Sequence, residues 1–112
     1  MNRLDGKVAI VTGAGKGLGR AFAVDLAKQG TKVVVVTRKD VEGLKKTYEQ
    51  IEAIGGEALW LQVDVSRTDD LDRMVAETIK MFGRIDILVN NAALIPARKA
   101  FMKYHLRSLT RY

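Results

Sequence analysis

The chain of 112 residues contains no cysteine, one proline and one histidine. Without cysteine there is no disulfide scaffold, no zinc knuckle and no thiol nucleophile. A single histidine adds too little to build a transition-metal site, so no protein-bound metal is expected. No apolar run approaches the ~20 residues of a membrane span, and Asp5 with Lys7 interrupts any signal-peptide reading of the start. These absences point to a soluble, cytoplasmic protein without a membrane partner. What is present is ordinary: 47% hydrophobic and 29% charged residues, at the length of one small domain.

Lys and Arg outnumber Asp and Glu by 19 to 13, a formal net charge of +6. The excess is local. Residues 1–96 hold 14 of the basic residues and all 13 acids, whereas residues 97–112 hold Arg98, Lys99, Lys103, Arg107 and Arg111 and no acid. That shift marks the one internal boundary, between a nearly neutral body and a basic tail. A solvated tail is the plain reading. A polyanion-binding arm is the alternative, but its aromatic interleaving is thin (Phe101, Tyr104, Tyr112) and no nucleic-acid-binding motif is present.

Lys7 to Thr12 is a continuous apolar run closed by glycine, as in a strand covered on both faces. Leu18, Ala21, Phe22, Leu26 and Ala27 then recur at helical spacing, and Gly30 stands where a helix would stop. Lys32 to Thr37 reads as a second buried strand. From Val41 to Ile54, Leu44, Tyr48, Ile51 and Ile54 share one helical face, ended by Gly55 and Gly56. Glu57 to Val63 is a third strand, followed by Asp64. A helix from Thr68 to Phe82 aligns Leu71, Val75, Ile79 and Phe82, with Asp69, Asp70 and Asp72 near its positive end. Ile85 to Val89 is a fourth strand, leading into Asn90 and Asn91. Strands alternating with helices of this length argue for a parallel sheet with right-handed crossovers and helices on both faces. After Pro96 the pattern weakens, although Phe101, Leu106 and Leu109 could begin another helix.

The segment Thr12-Gly13-Ala14-Gly15-Lys16-Gly17-Leu18-Gly19 joins the first strand to the first helix. Glycine permits positive φ, and its missing Cβ lets backbone N–H groups approach a diphosphate. The helix that follows aims its unpaired N–H groups at the same place. A glycine-rich run alone is weak evidence. Its position between a buried strand and an amphipathic helix is the context that gives it meaning.

With Asp64-Val65 after the third strand and Asn90-Asn91-Ala92 after the fourth, the sequence resembles the short-chain dehydrogenase/reductase family over residues 3 to about 96. The resemblance implies a Rossmann-like, doubly wound α/β fold with a parallel sheet, truncated here after the fourth strand. It implies that Thr12, Gly13, Lys16, Gly17, Leu18 and Gly19 hold a pyrophosphate, with Gly19 letting the helix lie close to the sheet. Asp64 and Val65 would contact adenine, and Asn91 and Ala92 would lie along the ribose and nicotinamide side. Asn90 would tie neighbouring strands together. Ala93 stands where the family has glycine, which touches only the local backbone approach. Plainer roles compete: Asp64 capping the next turn, Asn90 and Asn91 as turn residues, and Trp60 as packing.

An acid about 20 residues beyond the glycines selects NAD by accepting bonds from the ribose. Here Thr37 stands in that place, followed by Arg38 and Lys39. Loss of the carboxylate removes repulsion of a 2′-phosphate, and Arg38 offers it a forked, charged donor, with Lys16 in reach. The expected cofactor is therefore NADP(H) rather than NAD(H). Against this, Arg38 and Lys39 could be a solvated strand end, with Asp40 substituting as the ribose acceptor.

The family's chemistry uses a tyrosine as general acid/base, a lysine four residues on, a serine and a further asparagine. Tyr48 is followed four residues on by Glu52 and Tyr104 by Ser108, while Tyr112 ends the sequence. No catalytic residue is therefore assigned. The sequence reads as a dinucleotide-binding half-domain at 1–96 with a basic tail at 97–112. The intact relative would reduce a small ketone or oxidise a secondary alcohol. The alternatives are a non-catalytic NADP(H)-binding module and, more weakly, a basic nucleic-acid binder. The fourth strand would present an apolar edge open to self-association.

Overall fold

The computed structural model describes residues 4–91. Ala92, the basic tail and the helix suggested after Pro96 lie outside the described residues. Four strands, β1 (Val8–Thr12), β2 (Lys32–Thr37), β3 (Ala58–Gln62) and β4 (Ile87–Asn90), alternate with α1 (Gly17–Lys28), α2 (Val41–Ala53) and α3 (Thr68–Phe82). The strands pair in parallel in the order β3-β2-β1-β4. This is the Rossmann-like α/β fold expected.

β-Branched residues crowd β1 and β2 because both faces of these central strands are covered. Side-chain alternation then divides the core in two. Ile10, Val34 and Val36 meet Leu71, Met74 and Val75 of α3 on one face. Val11, Val33 and Val35 meet Ala23 and Ala27 of α1 and Leu44 and Ile51 of α2 on the other. Trp60 packs on that second cluster, with the Lys45 ammonium 5.0 Å from its ring centroid. No helix among the described residues is long and apolar enough to cross a membrane.

Two expectations are corrected. The face of α1 that packs on the sheet is Gly19, Ala23 and Ala27, while Leu18 and Phe22 are 62% and 42% exposed and Ala21 is exposed too. Small residues win that face because α1 crosses the sheet too closely for larger ones. β4 starts at Ile87 and not at Ile85. Ile85 is fully buried, but the Asp86 carboxylate, rather than a backbone carbonyl, accepts the Val8 N–H at 2.9 Å. The side chain thereby replaces the first ladder bond, and regular pairing begins with Ala9 opposite Ile87.

Candidate functional site

Because every strand is parallel, the four C-terminal ends share one rim. From β1 the chain winds outward through β2 to β3, then returns to the far side of β1 for β4. The crevice at such a reversal is where open α/β sheets receive ligands. The residues singled out by sequence gather on this rim: the glycine segment after β1, Thr37 and Arg38 at the end of β2, Asp64 and Val65 after β3, and Asn91 after β4.

Gly13 and Gly17 adopt positive φ, +63° and +56°. A Cβ on Gly19 would lie 2.1 Å from the Gly13 carbonyl oxygen, so glycine is required for α1 to start against the loop. On the outer side a Cβ on Gly17 would meet nothing within 4 Å. Lys16, the N-cap of α1, is exposed and makes no side-chain cap bond, and the first turn holds no acid. The first N–H groups of α1 thus keep their partial positive charge. An open glycine turn running into an uncapped helix start fits a diphosphate. Leu18 stands exposed beside it.

The Thr12 side chain faces inward, and the residue is 1% exposed. Its hydroxyl donates to Asn90 Oδ1 at 2.9 Å and accepts the Asn91 N–H at 3.0 Å, tying β1 to β4. Thr12 therefore positions the crevice and does not present its hydroxyl to it. The Asn91 side-chain amide donates to the Gly13 carbonyl at 3.3 Å, which draws the end of β4 onto the glycine loop.

At the end of β2, Thr37 is half-buried and Arg38 and Lys39 are exposed. The Asp40 carboxylate accepts the Gly43 N–H at 3.0 Å as the N-cap of α2, which commits it to the helix. Across the rim, Asp64 Oδ1 accepts the Ser66 hydroxyl at 2.6 Å and the Ser66 N–H at 2.9 Å, the turn-capping role. The Ser66 hydroxyl, then its N–H, hold the Asp64 carboxyl below its ordinary range; burial opposes this, and the charges of Arg38 and Arg67 add lesser lowering effects. Asp64 is a fixed anion beside Arg38. Val65 is half-buried against the α3 core.

Arg20, Gly43 and Thr47 were not singled out by sequence, yet they hold the loop in place. Thr47 is fully buried and donates to the Ala14 carbonyl at 2.7 Å. The Arg20 guanidinium donates to Thr47 Oγ1 at 2.9 Å, to the Gly15 carbonyl at 2.6 Å and to the Gly43 carbonyl at 3.0 Å. The available signal was the pair Gly43 and Thr47, one turn apart on the apolar face of α2. Tyr48, by contrast, donates to Glu52 at 3.0 Å. That bond, with burial and the Glu52 charge, raises the phenol's pKa, opposite to the effect of a lysine neighbour.

Comparison with known proteins agrees with this geometry. The profile of the short chain dehydrogenase family matches residues 7–111. Versicolorin reductase 1 of Aspergillus parasiticus is 46% identical over 94 residues, which is 84% of this chain and 36% of that protein. A short-chain dehydrogenase/reductase structure from Burkholderia xenovorans superposes with a TM-score of 0.85 at 32% identity, covering 99% of this chain and 54% of that one. An NAD+-bound xylitol dehydrogenase gives 0.77 at 35% identity over 82% of this chain and 35% of its own. The chain spans between 35% and 39% of the length of the first curated relatives it matches. With the glycine turn, the strand order and the family match in agreement, the chain belongs to the short-chain dehydrogenase family, whose members bind a nicotinamide dinucleotide.

Proposed function

We propose that this chain is the cofactor-binding portion of an NADP(H)-dependent oxidoreductase acting on a small ketone or secondary alcohol. The observation that carries the cofactor preference is the end of β2. Thr37 supplies no carboxylate, Arg38 and Lys39 are exposed, and the Asp40 carboxylate caps α2 through the Gly43 N–H. A 2′-phosphate there meets a forked cation and no carboxylate at the Thr37 position, and a charge-assisted bond of this kind contributes roughly 1.5–3 kcal/mol, about ten- to hundred-fold in affinity.

In this reading Gly13, Lys16, Gly17 and the start of α1 hold the diphosphate, and Gly19 lets them approach. Asp64 and Val65 flank the adenine. Asn91 lines the way to the nicotinamide, which, when bound, supplies or accepts a hydride, and Ala92, expected to share that role, lies outside the described residues. Residues 1–96 form the binding unit and 97–112 a basic tail. Turnover needs the tyrosine, lysine and serine of the family, and no Tyr-x-x-x-Lys occurs in the 112 residues. Titration of the chain with NADPH and with NADH, followed by cofactor fluorescence, tests the reading. Tight NADPH binding with much weaker NADH binding supports it, and equal binding of the two removes the preference.

A further inference from the structure

The glycine loop is held by its carbonyl groups. The Gly13 oxygen takes the Asn91 amide, the Ala14 oxygen takes the Thr47 hydroxyl, and the Gly15 oxygen takes the Arg20 guanidinium. The Ala14 N–H is used as well, bonding Val36 O at 3.0 Å. In a trans peptide the N–H points opposite to the carbonyl of the same plane. Turning the Ala14 and Gly15 carbonyls toward Thr47 and Arg20 therefore turns the Gly15 and Lys16 N–H groups the other way. Neither N–H has an acceptor among the described residues.

The partners that set this orientation are themselves fixed. Thr47 Oγ1 lies within hydrogen-bond distance of Ala14 O at 2.7 Å and Gly43 O at 3.1 Å, the shorter contact taking its one hydrogen, and it accepts from Arg20 Nε at 2.9 Å. The other arm of Arg20 bridges Gly15 O and Gly43 O, joining the loop to α2. A Cβ on Gly43 would lie 2.3 Å from both Gly15 O and Asp40 Oδ2, so a side chain there would wedge loop and helix apart.

We propose that Arg20, Gly43 and Thr47 are positioning residues for cofactor binding. They fix the two peptide planes at Ala14–Gly15 and Gly15–Lys16 so that their N–H groups are already aimed when a diphosphate arrives. The same tie sets the loop in register with the β2–α2 turn, where Arg38 stands. This inference rests on the reading of the loop as a dinucleotide diphosphate site.

Calorimetric titration of the 112-residue chain with ADP, which carries the diphosphate, and with 2′-AMP, which does not, tests it. Thr47→Val keeps shape and removes the hydroxyl. It should weaken ADP by about ten-fold while changing 2′-AMP by less than about two-fold, and Thr47→Ser should restore ADP binding. Arg20→Lys, at a half-buried position, should act like Thr47→Val and is the variant to read if the latter does not fold. Unchanged ADP affinity in a folded variant, or equal losses of ADP and 2′-AMP, overturns the proposal. Wild-type chain that binds ADP but not 2′-AMP contradicts the NADP(H) preference instead. The ADP comparison, with the folded fraction read from a thermal melt, then still decides the positioning role. Wild-type chain that binds neither contradicts the diphosphate site and the inference with it.

Discussion

Gly19 occupies the tightest point of the molecule's rim. A methyl group there would meet Gly13 O at 2.1 Å and Asn91 Nδ2 at 2.9 Å, both parts of the loop and its anchor. The Gly13 contact is with backbone, which no side-chain rotation can relieve. Gly19→Ala should therefore cost about 1–3 kcal/mol of stability, the range for overpacking, and lower NADPH affinity by displacing the loop. Urea denaturation and cofactor titration of the variant check both effects, and an unchanged denaturation midpoint would contradict the packing argument. At this scale the sequence was informative where chemistry is carried by residue type. The glycines and the missing acid at Thr37 could be read from residue type, and Asn90 as a strand tie from the family resemblance. Arg20 could not, because an arginine inside an amphipathic helix has no distinctive spacing, and Thr47 was marked only by its place one turn from Gly43 on the apolar face of α2. Their role depends on which carbonyls the folded loop brings to them.

At the scale of elements, strands and helices follow from apolar period and glycine stops, and Gly83 ends α3 in the left-handed conformation as its position suggests. The apolar period misleads in part on α1, where Leu18 and Phe22 face outward while Leu26 and Ala27 pack on the core. Close approach of helix to sheet selects Gly19, Ala23 and Ala27, and small residues give little signal in a hydrophobic pattern. It misleads again at the start of β4, where Asp86 does work assigned to backbone. Asp86 is 4% exposed; burial alone would raise its pKa, but the Arg84 side chain, the Val8 N–H and the charges of Arg84 and Lys7 together lower it. A carboxyl with a lowered folded-state pKa stabilises above its unfolded value of about 3.9, and this contribution is lost as pH falls through the lower folded value. Asp86→Ala also leaves a buried N–H unpaired, so it should cost about 1–3 kcal/mol at neutral pH. Urea denaturation at pH 7 and below pH 4 should show the gap between wild type and variant shrinking in acid. A gap of constant size would mean that the carboxylate's charge contributes nothing.

For the whole molecule, the described sheet is covered on both faces but ends at β4, which pairs with β1 alone among the described residues. Ile87, Leu88 and Val89 are half-buried there, and an apolar parallel edge is a template for pairing. The isolated 112-residue chain should therefore associate with itself as its concentration rises, by sedimentation or light scattering. A sharp, reversible melt of a monomer, independent of concentration, would count against this. The arrangement of the rim has a functional consequence that matters more. Four strand ends place an open glycine turn, the Asp64 carboxylate and the exposed Arg38 guanidinium around one crevice. The NADP(H) preference is tested most directly by the ratio of NADH to NADPH dissociation constants, measured for the chain and for Arg38→Ala. It predicts a ratio of about ten to a hundred in the wild type, falling toward one in the variant with NADH affinity unchanged. A wild-type ratio near one, or a preference that survives loss of Arg38, would contradict it.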